Sequence, residues 1–177
     1  IGDGAMNNGQ VFESFNLASL WKLPVLYIIE NNKYGMGTSV NRAAAGSDLY
    51  KRGKPFGIPG EIVDGMNVFK VIEAAHKAGK HVREAKGPFI LEVQTYRYRG
   101  HSMSDPAKYR TKEELESYKT KDPIQIAYDE ILKKKISTKK DLEKINKAVI
   151  KKIKDAANYA LKSPFPNNED LYTDVYI

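Results

Sequence analysis

Gly2-Asp3-Gly4-Ala5 and, one strand–helix–strand unit later, Leu23-Pro24-Val25-Leu26-Tyr27-Ile28-Ile29-Glu30-Asn31-Asn32-Lys33-Tyr34 decide the reading of this chain. Val11, Phe12, Phe15, Ala18 and Trp21 recur at helical spacing between them. Pro24 closes that helix, and Val25 to Ile29 is an unbroken apolar run of the kind that fills a parallel sheet. Asp3 is therefore expected where one strand ends and Asn32 where the next ends. In open α/β sheets that edge is where ligands bind. Asp3 offers a carboxylate, Asn32 an amide oxygen and Tyr34 a backbone carbonyl. Such hard oxygen donors suit Mg2+, whose octahedron a diphosphate and water would complete. Gly2 and Gly4 let backbone and phosphate approach closely. A helix after Gly4 would point its free N–H groups at the same anion. Gly-Asp-Gly alone is also an ordinary turn and Asn-Asn an ordinary loop; the argument rests on their pairing across one unit.

The 177 residues suffice for one domain with a core. The sequence begins at Ile1 without an initiator Met, and no strand precedes Gly2. It is therefore read as the C-terminal part of a longer polypeptide. There is no cysteine, hence no disulfide and no thiolate metal site, which suits a reducing compartment. No stretch approaches the roughly 20 apolar residues of a membrane span, so no membrane partner is expected. The formal charge of +7 raises nucleic acid or another polyanion as a partner. Much of the lysine, however, falls in Lys133-Lys134-Lys135, Lys139-Lys140 and Lys151-Lys152-Ile153-Lys154. These runs lie on helices with an apolar stripe and interleaved acids, which is the pattern of a solvated face.

After Tyr34, residues 35–40 are glycine-rich and read as a mobile loop, and 41–46 as small residues with a short helix. Residues 48–59 read as a loop anchored by Tyr50 and Phe56. Glu61 to Asp64 is a short strand ending in a turn at Gly65. Asn67 caps a helix with Val68, Val71, Ile72, Ala75, Ala78 and Val82 on one face and His76 and His81 on its surface. Phe89 to Tyr96 is the next buried strand. This alternation predicts an α/β domain with a parallel sheet flanked by helices.

That strand leads into Tyr96-Arg97-Tyr98-Arg99-Gly100-His101-Ser102-Met103-Ser104-Asp105-Pro106, again at a carboxyl end. Arg97 and Arg99 can neutralise phosphate or carboxylate. His101 can bond a phosphate oxygen and titrates near neutrality. Ser102 and Ser104 are candidate phosphorylation sites, where a new double charge would repel a bound diphosphate. An ordinary connection in which Ser104 or Asp105 caps a turn is the plainer alternative.

Gly2-Asp3-Gly4-Ala5, Trp21-Lys22-Leu23-Pro24, Glu30 through Val40, Tyr50-Lys51-Arg52-Gly53 and Gln94 through Pro106 together resemble the alpha subunit of the pyruvate dehydrogenase first component, heterotetrameric type. The resemblance extends over essentially the whole chain, and Ser102-Met103-Ser104-Asp105-Pro106 resembles the pyruvate version rather than the branched-chain or acetoin ones. It implies the thiamine-diphosphate-binding fold with its N-terminal part missing, with 1–110 as the cofactor-binding portion and 111–177 as a helical C-terminal region packed on it. It implies thiamine diphosphate and Mg2+ as cofactors, with Asp3, Asn32 and the Tyr34 carbonyl as metal ligands and Gly4 and Ala5 on the diphosphate. His101 would hold the diphosphate from its loop and be the important side chain for catalysis. Ser102 and Ser39 match phosphorylated positions of mitochondrial members. A further serine of those members is absent, because Ala107-Lys108 precedes Tyr109-Arg110 in a segment one residue shorter. This favours a bacterial, cytoplasmic chain over a mitochondrial-matrix one. The implied reaction is oxidative decarboxylation of pyruvate, with transfer of the acetyl unit to the lipoyl domain of the dihydrolipoyl acetyltransferase. The implied partner is the beta subunit, in an alpha2beta2 heterotetramer, which supplies the activating glutamate. No nucleic-acid partner is implied.

The remainder reads as scaffold. Thr111 and Glu114 form a capping box, Asp122-Pro123 starts a second helix and Thr138 with Asp141 a third. The third carries Leu142, Ile145, Val149, Ile153, Ala156, Ala160 and Leu161 as a stripe. Leu171-Tyr172-Thr173-Asp174-Val175-Tyr176 is an aromatic tail expected to pack on a partner.

Overall fold

The computed structural model describes residues 1–175. They fall into two compact units, Ile1–Asp129 and the described residues from Glu130 onward.

The first unit is built on a three-stranded parallel sheet. Its strands β1 (Leu26–Asn31), β4 (Gly60–Asp64) and β5 (Phe89–Gln94) lie in the order β1-β5-β4. Ile28 lies beside Leu91 and Val63 beside Val93. Ile1 and Gly2 continue the sheet beyond β1. The Ile1 nitrogen donates to the Ile28 carbonyl, the Glu30 N–H donates to the Ile1 carbonyl (each 2.8 Å), and Gly2 bridges Glu30 in parallel. Asp3 thus leaves the sheet at the same edge as Asn32, as the strand–helix–strand spacing predicts.

Adjacent residues of β5 serve opposite faces, as the pleat requires. Ile90 packs with Met6, Phe15, Ile29, Leu49 and Ile58, beneath helix α1 (Gly9–Leu20). Leu91 packs with Val63 and Ala74, beneath helix α3 (Val68–Arg83). Phe15 sits edge-on to Tyr27 at 4.8 Å. Helices therefore cover both faces of β5, whose Phe89–Leu91 run is buried on both sides, whereas β1, at the end of the strand order, buries Ile29 and leaves Ile28 46% exposed.

Local signals account for most element ends. The Asn67 side chain accepts from the Phe69 and Lys70 N–H groups and starts α3. Helix α1 closes with Lys22 at φ 51 and the Leu23 N–H returning to the Ala18 carbonyl, a left-handed C-terminal cap. Thr111 caps α4 (Lys112–Lys119), and Asp122 accepts the Ile124 and Gln125 N–H groups at the start of α5 (Pro123–Lys133).

Four expectations are corrected. Residues 35–40 form an ordered hairpin, β2 (Tyr34–Gly35) against β3 (Thr38–Ser39), followed by α2 (Val40–Ala43). Met36 at φ 55 makes the two-residue turn. Residues Leu49–Phe56 are 3-10 helical rather than loop, and Leu49 is the fully buried anchor, with Tyr50 and Phe56 packed beside it. The chain after Gly4 makes a 3-10 turn, Ala5–Asn7, and α1 starts only at Gly9. His76 is exposed, but His81 is half-buried against Phe89 with an unpartnered buried Nε2.

In the second unit, α6 (Lys139–Lys162) starts at Thr138, whose side chain accepts the Asp141 N–H. Its stripe residues Ile145, Val149 and Ile153 are exposed. A 3-10 turn, Asn168–Tyr172, is closed by a reciprocal cap between Asn167 and Asp170. Tyr176 of the predicted aromatic tail lies outside the described residues.

Candidate functional site

Asp3 is 4% exposed, though it follows the exposed Gly2 and precedes the exposed Gly4 and Ala5. Burial raises the pKa of its carboxyl. The N–H groups of Asp3 and Asn32 and the charges of Arg97 and Lys33 pull the other way. A carboxylate is thus held beside the Asn32 backbone with cationic groups nearby. This brings the two halves of the sequence motif together.

The Asn-Asn pair divides its work. Asn31, 1% exposed, belongs to the sheet: its Nδ2 donates to Glu92 Oε1 (2.7 Å) and its Oδ1 accepts the Lys33 N–H (3.2 Å). Asn32, half-exposed, turns its Oδ1 toward the Tyr34 N–H (3.4 Å). Lys33, at φ 75, makes the turn that presents Asn32 and Tyr34 together. Burial lowers the Lys33 pKa, while the charges of Glu92 and Asp3 hold it up.

Close backbone approach is visible at Gly4 and Gly35. A Cβ on Gly35 would lie 3.3 Å from the Gly4 Cα and 3.8 Å from Asp3 Oδ2. Only small residues bring the Asp3 turn and the β2 strand this near.

The carbonyls of Tyr34 and Met36 both accept from Arg97, at 3.2 and 2.6 Å. Arg97 Nη2 also reaches the Tyr109 hydroxyl (3.2 Å), which donates to Asp105 Oδ2 (2.8 Å). Asp105 Oδ2 further accepts the His101 N–H (2.7 Å). The His101 and Ala107 N–H groups and the Tyr109 hydroxyl hold the Asp105 carboxyl below its ordinary pKa. A continuous chain of bonds thus joins the His101 loop to the Tyr34 carbonyl. Arg110 fastens the base of that loop by donating to the carbonyls of Arg97 and Tyr98.

The Tyr34 ring belongs to an aromatic cluster with Met66, Tyr96, Tyr98, Tyr109 and Tyr118. Its hydroxyl and that of Tyr96 donate to Glu114 at 3.0 Å. Burial first, and Glu114 second, push the Tyr34 phenol up to about 12.

The predicted residues therefore sort as follows. Asp3, Gly4, Asn32 and Tyr34 converge, and Ala5 starts the 3-10 turn next to them. Ser39 sits in β3, paired with Tyr34. His101 and Ser102 are exposed in a loop lined by Arg99, Met103 and Asp105, tied to the convergent set through Asp105, Tyr109 and Arg97 rather than by direct contact. Sequence reasoning missed Glu92, whose signal was a charged residue inside the otherwise apolar run Phe89–Val93. It also missed Arg52, Tyr109 and Asp105 as organisers.

Oxygen donors of this kind fit a divalent cation. Asp3 supplies the charge, while the Asn32 amide and the Tyr34 carbonyl each have a lone pair beyond the bond they accept. Among the described residues no three His, Cys, Asp or Glu side chains gather as a metal cluster. One carboxylate with neutral oxygens is the donor set of a cation that shares its ligands with a phosphate.

A family model described as "Dehydrogenase E1 component" matches residues 1–169. The chain belongs to that family. It is 54% identical over 176 residues to the pyruvate dehydrogenase E1 component subunit alpha of Rickettsia felis, covering 99% of this chain and 54% of that protein. It is 53% identical over 178 residues to the subunit so named in Rhizobium meliloti, covering all of this chain and 51% of that one. It is 50% identical over 177 residues to the somatic, mitochondrial form of Homo sapiens, covering 99% of this chain and 45% of that one. The chain spans about half the length of the curated relatives it matches. Their sources are bacterial and mitochondrial. Among the described residues no helix is long and apolar enough to cross a membrane.

Proposed function

We propose that the chain forms the metal and diphosphate half of a thiamine-diphosphate site in the alpha subunit of a pyruvate dehydrogenase first component. The supporting observation is the buried Asp3 carboxylate at the sheet edge, beside the Asn32 N–H, with Gly4 against Gly35. Asp3, Asn32 Oδ1 and the Tyr34 carbonyl would hold Mg2+, and the N–H groups of Gly4 and Ala5 the diphosphate. Bound there, the cofactor supplies an electron sink for decarboxylating a 2-oxoacid.

The chain's own residues bind and orient. Asp3 brings one negative charge, so the cation retains positive charge for the diphosphate. Arg97 keeps the Tyr34 and Met36 carbonyls in place. Asp105 orders the loop so that His101 can swing to a phosphate oxygen, which makes His101 the side chain whose placement matters most. Ser102 and Ser39 are the modifiable positions, and a phosphate on Ser102 would oppose the diphosphate by like charge. The substrate is pyruvate and the acceptor the lipoyl domain of the dihydrolipoyl acetyltransferase. The beta subunit completes the site in an alpha2beta2 assembly, in a bacterial cytoplasm or a mitochondrial matrix.

The test uses a full-length subunit carrying this sequence, co-purified with its beta partner. Dye reduction is followed with pyruvate and with 2-oxoisovalerate, with and without thiamine diphosphate and Mg2+. The expected result is cofactor-dependent activity that prefers pyruvate and falls by at least about 100-fold in Asp3→Asn. Preference for the branched acid would move the substrate, and indifference to the cofactor would sink the reading.

A further inference from the structure

We infer that Glu92 is a positioning residue that sets the Asp3 and Asn32 halves of the site in register. The inference rests on the metal-site reading of Asp3 and Asn32. Glu92 is 0% exposed, and both carboxylate oxygens are used. Oε1 accepts from Asn31 Nδ2 (2.7 Å), and Oε2 accepts the Tyr50 N–H (3.0 Å). A buried carboxylate is costly unless its bonds are made, so it persists where both bonds are needed.

Each bond leads to one half of the site. Through Asn31 the carboxylate fixes the turn at Lys33, because Asn31 Oδ1 accepts the Lys33 N–H. That turn presents Asn32 and the Tyr34 carbonyl, and the Lys33 carbonyl in turn accepts the Val40 N–H (3.1 Å) after the hairpin. Through Tyr50 the carboxylate holds the 3-10 helix Leu49–Phe56. Arg52 of the same helix donates to the Met6 carbonyl (2.6 Å) and Asn7 Oδ1 (2.9 Å), in the 3-10 turn that follows Asp3 and Gly4. The path Asn31–Glu92–Tyr50–Arg52–Met6 therefore joins two ligand turns far apart in sequence through one buried acid. Apolar packing alone would not require a charge at this position.

The chemistry defines a diagnostic substitution. In Glu92→Gln the new amide nitrogen must face either Asn31 Nδ2 or the Tyr50 N–H, so two donors oppose each other. Flipping Asn31 moves the conflict to the Lys33 N–H. Adding Asn31→Asp resolves it. The introduced glutamine then donates to one oxygen of the introduced aspartate, whose other oxygen accepts the Lys33 N–H, and the glutamine oxygen accepts the Tyr50 N–H. The charge is kept and the polarity of one bond is reversed.

The experiment titrates Mg2+ calorimetrically, at fixed thiamine diphosphate, into the full-length subunit with its beta partner. Thermal unfolding without metal checks folding. Glu92→Gln is expected to lose on the order of 10- to 100-fold in Mg2+ affinity. Glu92→Gln/Asn31→Asp is expected to regain most of it, and Arg52→Met to lose affinity while remaining folded. Wild-type affinity in Glu92→Gln, with binding lost in Asp3→Asn, would overturn the role of Glu92. No rescue in a folded double variant would do the same. If Glu92→Gln does not fold, Arg52→Met decides: wild-type affinity there overturns the proposal. Unchanged binding in Asp3→Asn would instead overturn the metal-site reading itself.

Discussion

Burial works against the ionised form of Asp3. Burial raises its pKa above the ordinary 3.8. A carboxyl with a raised folded-state pKa holds its proton more tightly in the fold. The stability it contributes is therefore complete below about 3.8 and is lost as pH rises through the raised value. Above the raised value the metal-free fold carries this cost, and a bound cation would offset it. Asp3→Asn is thus predicted to raise the melting temperature of the metal-free protein while abolishing Mg2+-dependent cofactor binding. Differential scanning calorimetry with and without Mg2+ checks both, and a lower melting temperature without metal would contradict the account. Tyr34 behaves in the same sense at the alkaline end. Its phenol, pushed up to about 12, contributes stability below pH 10 that is lost as pH climbs through about 12. Tyr34→Phe keeps the backbone carbonyl and removes the bond to Glu114. It should cost about 1–2 kcal/mol in urea unfolding at pH 8 and flatten the fall in stability between about pH 10 and 12. Mg2+ affinity should stay close to wild type, which separates the carbonyl's role from the ring's.

Elements were legible where period and capping chemistry agreed. The apolar run Val25–Ile29 and the largely apolar Phe89–Val93 specified parallel strands, and Asn67 specified the start of α3. Asn67→Ala should cost about 1 kcal/mol of stability, read by urea unfolding, and a change below a few tenths would deny the cap its role. The hairpin at Tyr34–Ser39 was not legible. Its glycines read as loop, while what orders it lies far away in sequence: Arg97 on the carbonyls of Tyr34 and Met36, and the Tyr109 ring, whose Cδ1 would lie 3.0 Å from a Cβ on Gly37. The 3-10 helix Leu49–Phe56 escaped notice for the same reason. Glu92 and Met6 hold it, and neither is near it in sequence. The paired motif around Asp3 and Asn32 was readable because its ligands are local to strand ends. The residues that position it were not, because they work through tertiary hydrogen bonds.

For the whole molecule, a basic sequence pI near 9.3 invites a polyanion reading. The lysine helices answer part of their own charge: Lys134 lies 3.5 Å from Glu130 and Lys151 2.6 Å from Asp155, each one turn away. Such exposed pairs are worth only a few tenths of a kcal/mol, so they serve solubility more than stability. Binding to duplex DNA is predicted to be weak and to vanish by about 0.2 M salt, as for non-specific contacts. Binding that survives with a sequence preference would revive the rival function. The central claim, that Asp3, Asn32 and the Tyr34 carbonyl form one cation site, is tested most directly by replacing Mg2+ with Mn2+. Crystals of the full-length alpha–beta assembly, grown with thiamine diphosphate, would be measured for anomalous scattering. A single manganese peak within bonding distance of Asp3 Oδ, Asn32 Oδ1 and the Tyr34 carbonyl is the predicted result. A cofactor bound with manganese elsewhere, or with Asn32 Oδ1 and the Tyr34 carbonyl turned away from it, would contradict the account.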